Sequence, residues 1–205
     1  MPNSDAFILI GGRSSRLGVD KAFVEVGGRS LAKRAVDVVR SALPDTRITA
    51  VAGNETQFAI EAATLGLPFI FDLYPDRGPI GGLHAALANT RNPWIFLIAC
   101  DYPFVTPDLI NLLASKVSND ARAVVPEQKD GRLQPLCGFY NVRMARPVVD
   151  EIIQRPRPSP PMHEIAMELR PRVVRFDEYS HLPESDDFFI NINTVEDLNR
   201  ARDRV

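Results

Sequence analysis

Short, continuous apolar runs alternate with segments of helical periodicity along most of this sequence. The clearest runs are AFILI (6–10), ITAVA (48–52), PFIF (68–71), WIFLIA (94–99) and ARAVVP (121–126). A strand that is apolar on both faces is typical of a parallel sheet covered by helices on both sides. The alternation therefore predicts an α/β fold, a single Rossmann-like domain of three layers with a mostly parallel sheet.

Apolar faces and capping signals predict the helices between these runs. Residues 30–43 place apolar side chains on one face at helical spacing. Asn54 is a candidate cap for a short helix, and Thr106 is one for a helix that begins with proline. Thr194 and Asp197 have the spacing of a capping box, so they predict a last helix over 194–204.

The pattern changes from about residue 132. LCGFY (136–140), RVVRF (172–176) and FFI (188–190) are short, and full crossover helices do not separate them regularly. We expect them to add mixed, partly antiparallel strands to the sheet. RPRPSPP (155–161) contains four prolines and predicts a loop or hinge.

Polar residues follow four of the apolar runs directly. Gly11-Gly12, Gly53-Asn54, Asp72 and Cys100-Asp101 come after the first four runs in turn. Ligands of open α/β sheets bind outside the carboxyl ends of the strands. Turn chemistry accounts for glycine and asparagine, but two acids after apolar runs favour a binding site over simple turns.

The first of these strand ends continues into GGRSSRLGVDK (11–21), which combines glycines with Arg13, Arg16 and Lys21. It matches neither the Walker A phosphate loop nor the Rossmann dinucleotide fingerprint. Glycine backbone and cationic side chains nevertheless suit an anion. The alternative is a solvated basic loop. Because 24 Lys and Arg oppose 26 Asp and Glu in the chain, any phosphate site is local, and no nucleic-acid partner is expected.

The loop and four later segments together resemble the MobA-like nucleotidyltransferases. In the loop, Leu9 to Gly12, Ser14, Arg16 to Gly18 and Asp20-Lys21 occupy the places of that family's signature. The later segments, in family order, are DRGPIGGLHAAL (76–87), ACDYPF (99–104), QPLCGFY (134–140) and FFININTVEDL (188–198). The chain departs from the family pattern at Ile10, where a small alanine is usual, and we expect Ile10 near the nucleotide's base or ribose.

The resemblance implies a reaction and a division of the chain. GMP passes from GTP to the terminal phosphate of molybdopterin, and pyrophosphate is released with the help of Mg²⁺. The implied nucleotide-binding part covers about residues 1–131 and the acceptor part about residues 132–205 of one domain. GTP and molybdopterin are then the partners, with possible transient contacts to proteins that deliver molybdopterin or accept the product.

The same resemblance assigns roles to individual residues. The implied catalytic residues are Arg16, Lys21 and Asp101, with Asp101 as the metal ligand. The implied nucleotide-binding residues are Leu9, Gly11, Gly12, Lys21, Asn54, Asp72, Gly78, Gly82 and Asp101. Asn191 and Asn193 lie two positions apart, so on a strand they would point to the same face. The resemblance implies that they face the pterin acceptor or the metal, although a simple turn into the last helix would also explain Asn191. Gln134 precedes the antiparallel element and is a candidate to bind the phosphate of the molybdopterin acceptor.

Other functions remain open at this point. A cytidylyltransferase of the same family would use CTP, and Gly-Gly in the loop favours GTP over it. A non-catalytic nucleotide-binding adaptor would not require Lys21 and Asp101. A glycosyltransferase of similar sheet usually carries Asp-x-Asp at the metal strand, whereas Tyr102 and Pro103 follow Asp101 here.

Cysteine usage and hydropathy predict the cellular setting. Cys100 and Cys137 match no metal-binding spacing and are expected as reduced, buried thiols. No apolar run approaches the roughly 18 residues of a membrane span. The sequence therefore predicts a cytoplasmic protein that does not bind a membrane.

Overall fold

The computed structural model describes residues 1–10, 21–53 and 65–204. Its strands, in chain order, are β1 Ser4–Leu9, β2 Glu25–Val26, β3 Arg29–Ser30, β4 Ile48–Ala52, β5 Phe69–Phe71, β6 Trp94–Ala99, β7 Ala123–Pro126, β8 Cys137–Asn141 and β9 Arg172–Val174. Its helices are α1 Leu31–Ala42, α2 Pro79–Ala88, α3 Pro107–Ser115, α4 Val142–Gln154, α5 Met162–Glu168, α6 Phe176–Tyr179 and α7 Val195–Arg202. Short 3-10 turns cover Lys21–Phe23 and Pro75–Arg77.

Seven strands form one sheet in the order β5-β4-β1-β6-β8-β7-β9. β1 pairs in parallel with β4 and β6, and β4 pairs in parallel with β5. β8 is antiparallel to both β6 and β7, so β7 and β9 run in the same direction as β6. The predicted parallel α/β sheet with antiparallel additions is confirmed, and β8 is the strand that is reversed.

The central strands form the middle of the core. Every residue of β1 and β6 is buried, as expected for strands covered on both faces. On one side of the sheet α2 packs against α4, and on the other α1 packs against α3. The chain moves outward from β1 to β4 and β5, then returns to β6 on the other side of β1. The carboxyl ends of β1 and β6 therefore flank a crevice where this type of sheet binds ligands.

The capping box of the last helix is confirmed. The Thr194 hydroxyl accepts from the Asp197 amide at 3.1 Å, and the Asp197 carboxylate accepts from the Thr194 amide at 3.0 Å. The proline-rich segment 155–161 contains no helix or strand, as predicted. No helix within the described ranges has the length and apolar character needed to cross a bilayer.

Three local predictions were wrong. Residues 188–190 form no strand, because the chain makes successive turns there that bury Phe188 and Phe189 against the core. Thr106 precedes α3 in extended conformation, but its hydroxyl makes no capping hydrogen bond. The long helix α4 was not predicted, since Pro147 interrupts its pattern. The helix proposed after Asn54 lies outside the described residues.

Candidate functional site

Four polar side chains from distant parts of the sequence meet beside the carboxyl end of β6. They are Lys21, Asp101, Asn191 and Asn193. Asp101 lies two residues beyond β6, and Lys21 begins the 3-10 turn after the opening loop. The cluster therefore lies at the topological crevice of the sheet, where a ligand is expected.

The centre of this cluster is the Asp101 carboxylate. Lys21 Nζ donates to Asp101 Oδ2 at 2.9 Å, and the two side chains are 16% and 21% exposed. The Asn191 amide nitrogen, in the orientation that satisfies its hydrogen bonds, donates to the same oxygen at 3.1 Å. An ammonium and an amide thus hold one carboxylate that remains within reach of solvent.

Asn193 is the second partner of the Lys21 ammonium. Lys21 Nζ donates to Asn193 Oδ1 at 2.8 Å. The backbone amide of Asn193 donates to Asp197 Oδ2 at 3.0 Å, so the capping box of α7 also fixes Asn193. The expectation that Asn191 and Asn193 share one face of a strand was wrong, because no strand covers them. Their amides nevertheless converge on the same ion pair.

A tight hairpin links the chain around Lys21 to the helix that follows Asn193. Gly27 and Gly28 form the two-residue turn between β2 and β3, and both have positive φ, which glycine adopts without steric cost. The Arg202 side chain at the end of α7 donates to the Glu25 carbonyl at 3.3 Å. The hairpin and α7 therefore hold Lys21 and Asn193 together across most of the sequence.

Asp72 lies at the end of β5 and faces the first turn of α2. Its Oδ1 accepts from the Tyr74 amide at 2.6 Å. A Cβ atom at Gly81 would lie 2.3 Å from both carboxylate oxygens, so only glycine lets the carboxylate approach the helix this closely. At Gly82 a Cβ would lie 2.8 Å from Leu9 Cδ2, and Gly78 before the helix has φ +70°.

Burial raises the pKa of Asp72 above its ordinary value of 3.8. The amide of Tyr74 and the nearby His84 act in the opposite direction without reversing the shift. His84 itself packs between α2 and α4, where its Nε2 lies 3.2 Å from Asp150 Oδ1 and its ring meets Tyr74 edge to face.

Ile10 and Gln134 do not belong to the Asp101 cluster. Ile10 was expected near the ligand, but its side chain is buried in the core and only 2% exposed. Gln134 reaches Tyr102, not Asp101, and lies in the turn that leads into β8. Gly11, Gly12, Arg16 and Asn54 lie outside the described residues.

Sequence reasoning missed Tyr102 and Gln128. The Tyr102 hydroxyl donates to Gln134 Oε1 at 2.9 Å, and Gln134 Nε2 donates to Gln128 Oε1 at 2.7 Å. A tyrosine beside a buried strand end usually finds a polar partner for its hydroxyl, which is the one signal that pointed to Tyr102. Gln128 offered no comparable signal in the sequence, since its hydrogen bond with Gln134 depends on how the chain between the two residues folds back.

The site can hold a cation, although the described part of the chain contains no cluster of three or more His, Cys, Asp or Glu placed to bind a metal. Mg²⁺ prefers oxygen ligands and commonly takes only one or two protein carboxylates when phosphates and water supply the rest. Asp101 is a partly exposed carboxylate that already holds one cation, the Lys21 ammonium. These donors therefore fit a Mg²⁺ ion that arrives with a phosphorylated ligand.

The family profile of the MobA-like NTP transferase domain matches residues 6–159, which is most of the chain. That range includes Lys21, Asp72 and Asp101, and it ends before Asn191 and Asn193.

Curated relatives match over nearly the whole chain. A protein of Clostridium perfringens named probable molybdenum cofactor guanylyltransferase is 31% identical, over 99% of this chain and 100% of its own length. A molybdenum cofactor guanylyltransferase of Desulfosudis oleivorans is 33% identical, over 95% of this chain and 92% of its own. The crystal structure of molybdopterin-guanine dinucleotide biosynthesis protein A from Archaeoglobus fulgidus superposes with a TM-score of 0.76 at 25% identity, covering 98% and 97% of the two chains.

Proposed function

Because the chain belongs to the MobA-like NTP transferase family and is a nucleotidyltransferase, we propose that it transfers GMP from GTP to the terminal phosphate of molybdopterin. The observation that carries this proposal is the cluster of Lys21, Asp101 and Asn193 at the topological crevice of the sheet. Curated relatives with guanylyltransferase names match the full chain, which supports the choice of GTP.

The proposed reaction is a displacement at the α-phosphorus of GTP. An oxygen of the acceptor phosphate forms a new bond to that phosphorus, the bond to the bridging oxygen breaks, and pyrophosphate leaves with the electron pair. The second pKa of a phosphate monoester is about 6, so the nucleophile is already largely ionised at neutral pH. The step therefore depends on alignment and on stabilisation of charge, and it needs no side-chain base.

Lys21 supplies the positive charge for this step. Its ammonium lies between Asp101 and Asn193, which fix its position before any phosphate binds. A preorganised cation stabilises negative charge that develops on the phosphates without reorganisation during the reaction. Gly11, Gly12 and Arg16 are proposed to grip the triphosphate, on the basis of the loop's resemblance to the family signature.

Asp101 is the residue that would hold Mg²⁺. When bound, the ion would neutralise charge on the α-phosphate and on the leaving pyrophosphate. Asp101 also orients the Lys21 ammonium and the Asn191 amide toward the same point.

The nucleotide's base and ribose are proposed to lie along the ends of β1, β4 and β5. Asp72 would accept hydrogen bonds from the N–H edge of guanine, and its raised pKa means that this acceptor is lost earlier on acidification than an ordinary aspartate's would be. Gly78, Gly82 and Leu9 would border the base, and Asn54 would bind the base or ribose from the end of β4.

Acceptor binding is assigned to the later part of the chain. Residues from about 132 to 205 contribute Gln134, Asn191 and Asn193, whereas residues before 132 contribute the nucleotide contacts. Molybdopterin would reach the enzyme through transient contacts with other proteins. We also propose a cytoplasmic location, which is supported by Cys100 and Cys137 as thiols buried in the core.

A panel of nucleotides tests the proposal directly. Pyrophosphate release is measured with molybdopterin, Mg²⁺ and each of GTP, CTP, ATP and UTP. We expect turnover with GTP and little with the other three. A clear preference for CTP would instead show a cytidylyltransferase, and GTP binding without pyrophosphate release would show an adaptor. In the active protein, Asp101→Asn should abolish most of the turnover, and unchanged activity would contradict the metal assignment.

A further inference from the structure

A buried tyrosine connects the Asp101 cluster to the proposed acceptor side. Tyr102 follows Asp101 directly and is 6% exposed. Its ring packs edge to face against Phe189, with centroids 5.5 Å apart. Its hydroxyl donates to Gln134 Oε1 at 2.9 Å.

The Gln134 amide is held at both ends. Its Oε1 accepts from Tyr102 at 2.9 Å, and its Nε2 donates to Gln128 Oε1 at 2.7 Å. The backbone of Gln134 is also fixed. Its backbone N–H donates to the Pro126 carbonyl, and its backbone carbonyl accepts from the backbone N–H of Cys137. These hydrogen bonds therefore hold the Gln134 side chain in one position.

A primary amide offers two N–H donors and two lone pairs on its oxygen. The bonds to Tyr102 and Gln128 use one of each, which leaves one N–H and one lone pair in the plane of the amide. Gln134 is partly exposed, so a ligand can reach this pair. The pair complements a cyclic amide edge, where a carbonyl lies next to an N–H, and the ring of a pterin has such an edge.

The same tyrosine is also linked to the reacting end of the site. Asp101, which directly precedes Tyr102 in the chain, accepts hydrogen bonds from Lys21 and Asn191. The peptide bond between Asp101 and Tyr102 therefore joins this cluster to the hydrogen bonds that hold Gln134.

We propose that Tyr102 is a positioning residue for the acceptor, which it serves by fixing the Gln134 amide in the orientation that recognises the cyclic amide edge of the pterin. This inference rests on the proposed function, since that function supplies the pterin. Because the Tyr102 hydroxyl acts on Gln134, its removal should affect acceptor binding and leave GTP binding unchanged.

The test is Tyr102→Phe, which removes only the hydroxyl. Loss of one hydrogen bond that orders a ligand contact should raise the KM for molybdopterin about 3- to 10-fold, with the KM for GTP unchanged. Tyr179→Phe is the matched control: its ring also packs against Phe189, and its hydroxyl donates to the Glu127 carbonyl at 2.8 Å. We expect neither KM to change in the control. Equal rises in both KM values for Tyr102→Phe would overturn the proposal.

A double-mutant cycle shows whether Tyr102 acts through Gln134. In a Gln134→Ala background, Tyr102→Phe should have no further effect on the KM for molybdopterin. Independent effects of the two substitutions would contradict the positioning role.

Binding separates this inference from the proposed reaction. If the wild-type protein releases no pyrophosphate with any nucleotide, the proposed function fails, but the affinity for molybdopterin can still be compared between wild type and Tyr102→Phe. A 3- to 10-fold weaker affinity, about the size of one lost hydrogen bond, would support the role of Tyr102. Equal affinities would overturn it.

Discussion

At the scale of single residues, two contacts determine the character of the site. Lys21 lies within hydrogen-bond distance of both Asp101 and Asn193, so its ammonium is placed before a ligand arrives. Asp72 approaches the first turn of α2 so closely that position 81 has no room for a side chain. The first contact supports the catalytic role proposed for Lys21, and the second determines how the end of β5 fits the helix.

Replacing Lys21 by methionine should remove the charge and keep most of the aliphatic stem. Because loss of one preorganised electrostatic contact costs about 10²–10³-fold in kcat, we expect a fall of about that size in GMP transfer. Lys33→Met is the control, since Lys33 forms a surface ion pair with Asp37 within α1, at 2.8 Å. Comparable losses in the two variants, measured as pyrophosphate release, would contradict the role given to Lys21.

Gly81→Ala should destabilise the fold by about 1–3 kcal/mol, the usual cost of overpacking. The new Cβ would lie 2.3 Å from the Asp72 carboxylate, which the Tyr74 amide holds in place. Gly82→Ala gains the same helix propensity but meets mainly one methyl group of Leu9, at 2.8 Å, so its effect should be smaller.

Urea denaturation of the two alanine variants measures this difference. Adding Asp72→Ala to Gly81→Ala should recover part of the lost stability, because the clash then disappears. If the two substitutions change the free energy of unfolding additively, the Asp72 carboxylate is not what clashes with the new Cβ.

At the scale of secondary structure, the start of α7 supports the site. Its capping box uses Asp197, whose Oδ2 accepts from the amides of both Asn193 and Thr194 at 3.0 Å. These hydrogen bonds, the Asn193 amide first among them, lower the pKa of Asp197 below its ordinary value of 3.8. The Asp197 side chain thus caps the start of α7 and also holds Asn193, the hydrogen-bond partner of Lys21.

Asp197→Ala should destabilise the fold by about 1 kcal/mol, the usual effect of losing a cap. Since the folded-state pKa of Asp197 is depressed, its contribution to stability is present above pH 3.8 and is lost as the pH falls below that value. The stability difference from wild type should therefore be constant near neutral pH and shrink in acid. The variant should also lose activity, because Asn193 is released.

The control for this prediction is Glu196→Ala. Glu196 lies exposed in the first turn of the same helix and is not part of the capping box. Thermal unfolding at several pH values compares the variants, and a pH-independent difference for Asp197→Ala would contradict the assigned cap.

At the scale of the whole molecule, a buried arginine joins the two proposed parts of the chain. Arg77 is 6% exposed and precedes Gly78 of the predicted nucleotide site. Its guanidinium donates to the carbonyls of Ile152, Ile153 and Arg155 at the carboxyl end of α4. A cation at this end of a helix satisfies free carbonyls and opposes the helix dipole. Arg77 therefore fixes the start of the proline-rich segment against the loop before α2.

Arg77→Met should destabilise the protein by about 1–3 kcal/mol, because it leaves buried carbonyl groups without a donor. We also expect faster amide hydrogen exchange over residues 152–162. Arg157→Met is the control, since Arg157 and Asp76 form an exposed ion pair at 3.4 Å, which contributes little. If Arg157→Met were as destabilising as Arg77→Met, loss of the hydrogen bonds from Arg77 to the end of α4 would not explain the destabilisation.

The sequence by itself determined the sheet and the ends of its strands. Continuous apolar runs specified the positions of β1, β4, β6 and β7, because burial on both faces requires apolar side chains throughout. A further apolar run specified β5, although this edge strand is only partly buried. The two acids after apolar runs, Asp72 and Asp101, marked the edge of the sheet where we propose that the ligand binds, since ligands bind where parallel strands end. The capping box at Thr194 was equally readable, because its hydrogen bonds are local.

Only the tertiary structure decided how distant side chains meet. Asn193 is hydrogen-bonded to Lys21 across 172 positions, and the strand expected to place it does not form. The Gln134 amide is held by Tyr102 and Gln128, and the Ile10 side chain is buried in the core. Such contacts depend on the path of the chain between elements, which local periodicity and propensity do not encode. The physical reason is that hydrogen-bond partners and burial are properties of the packed chain, whereas strand and helix patterns are properties of neighbouring residues.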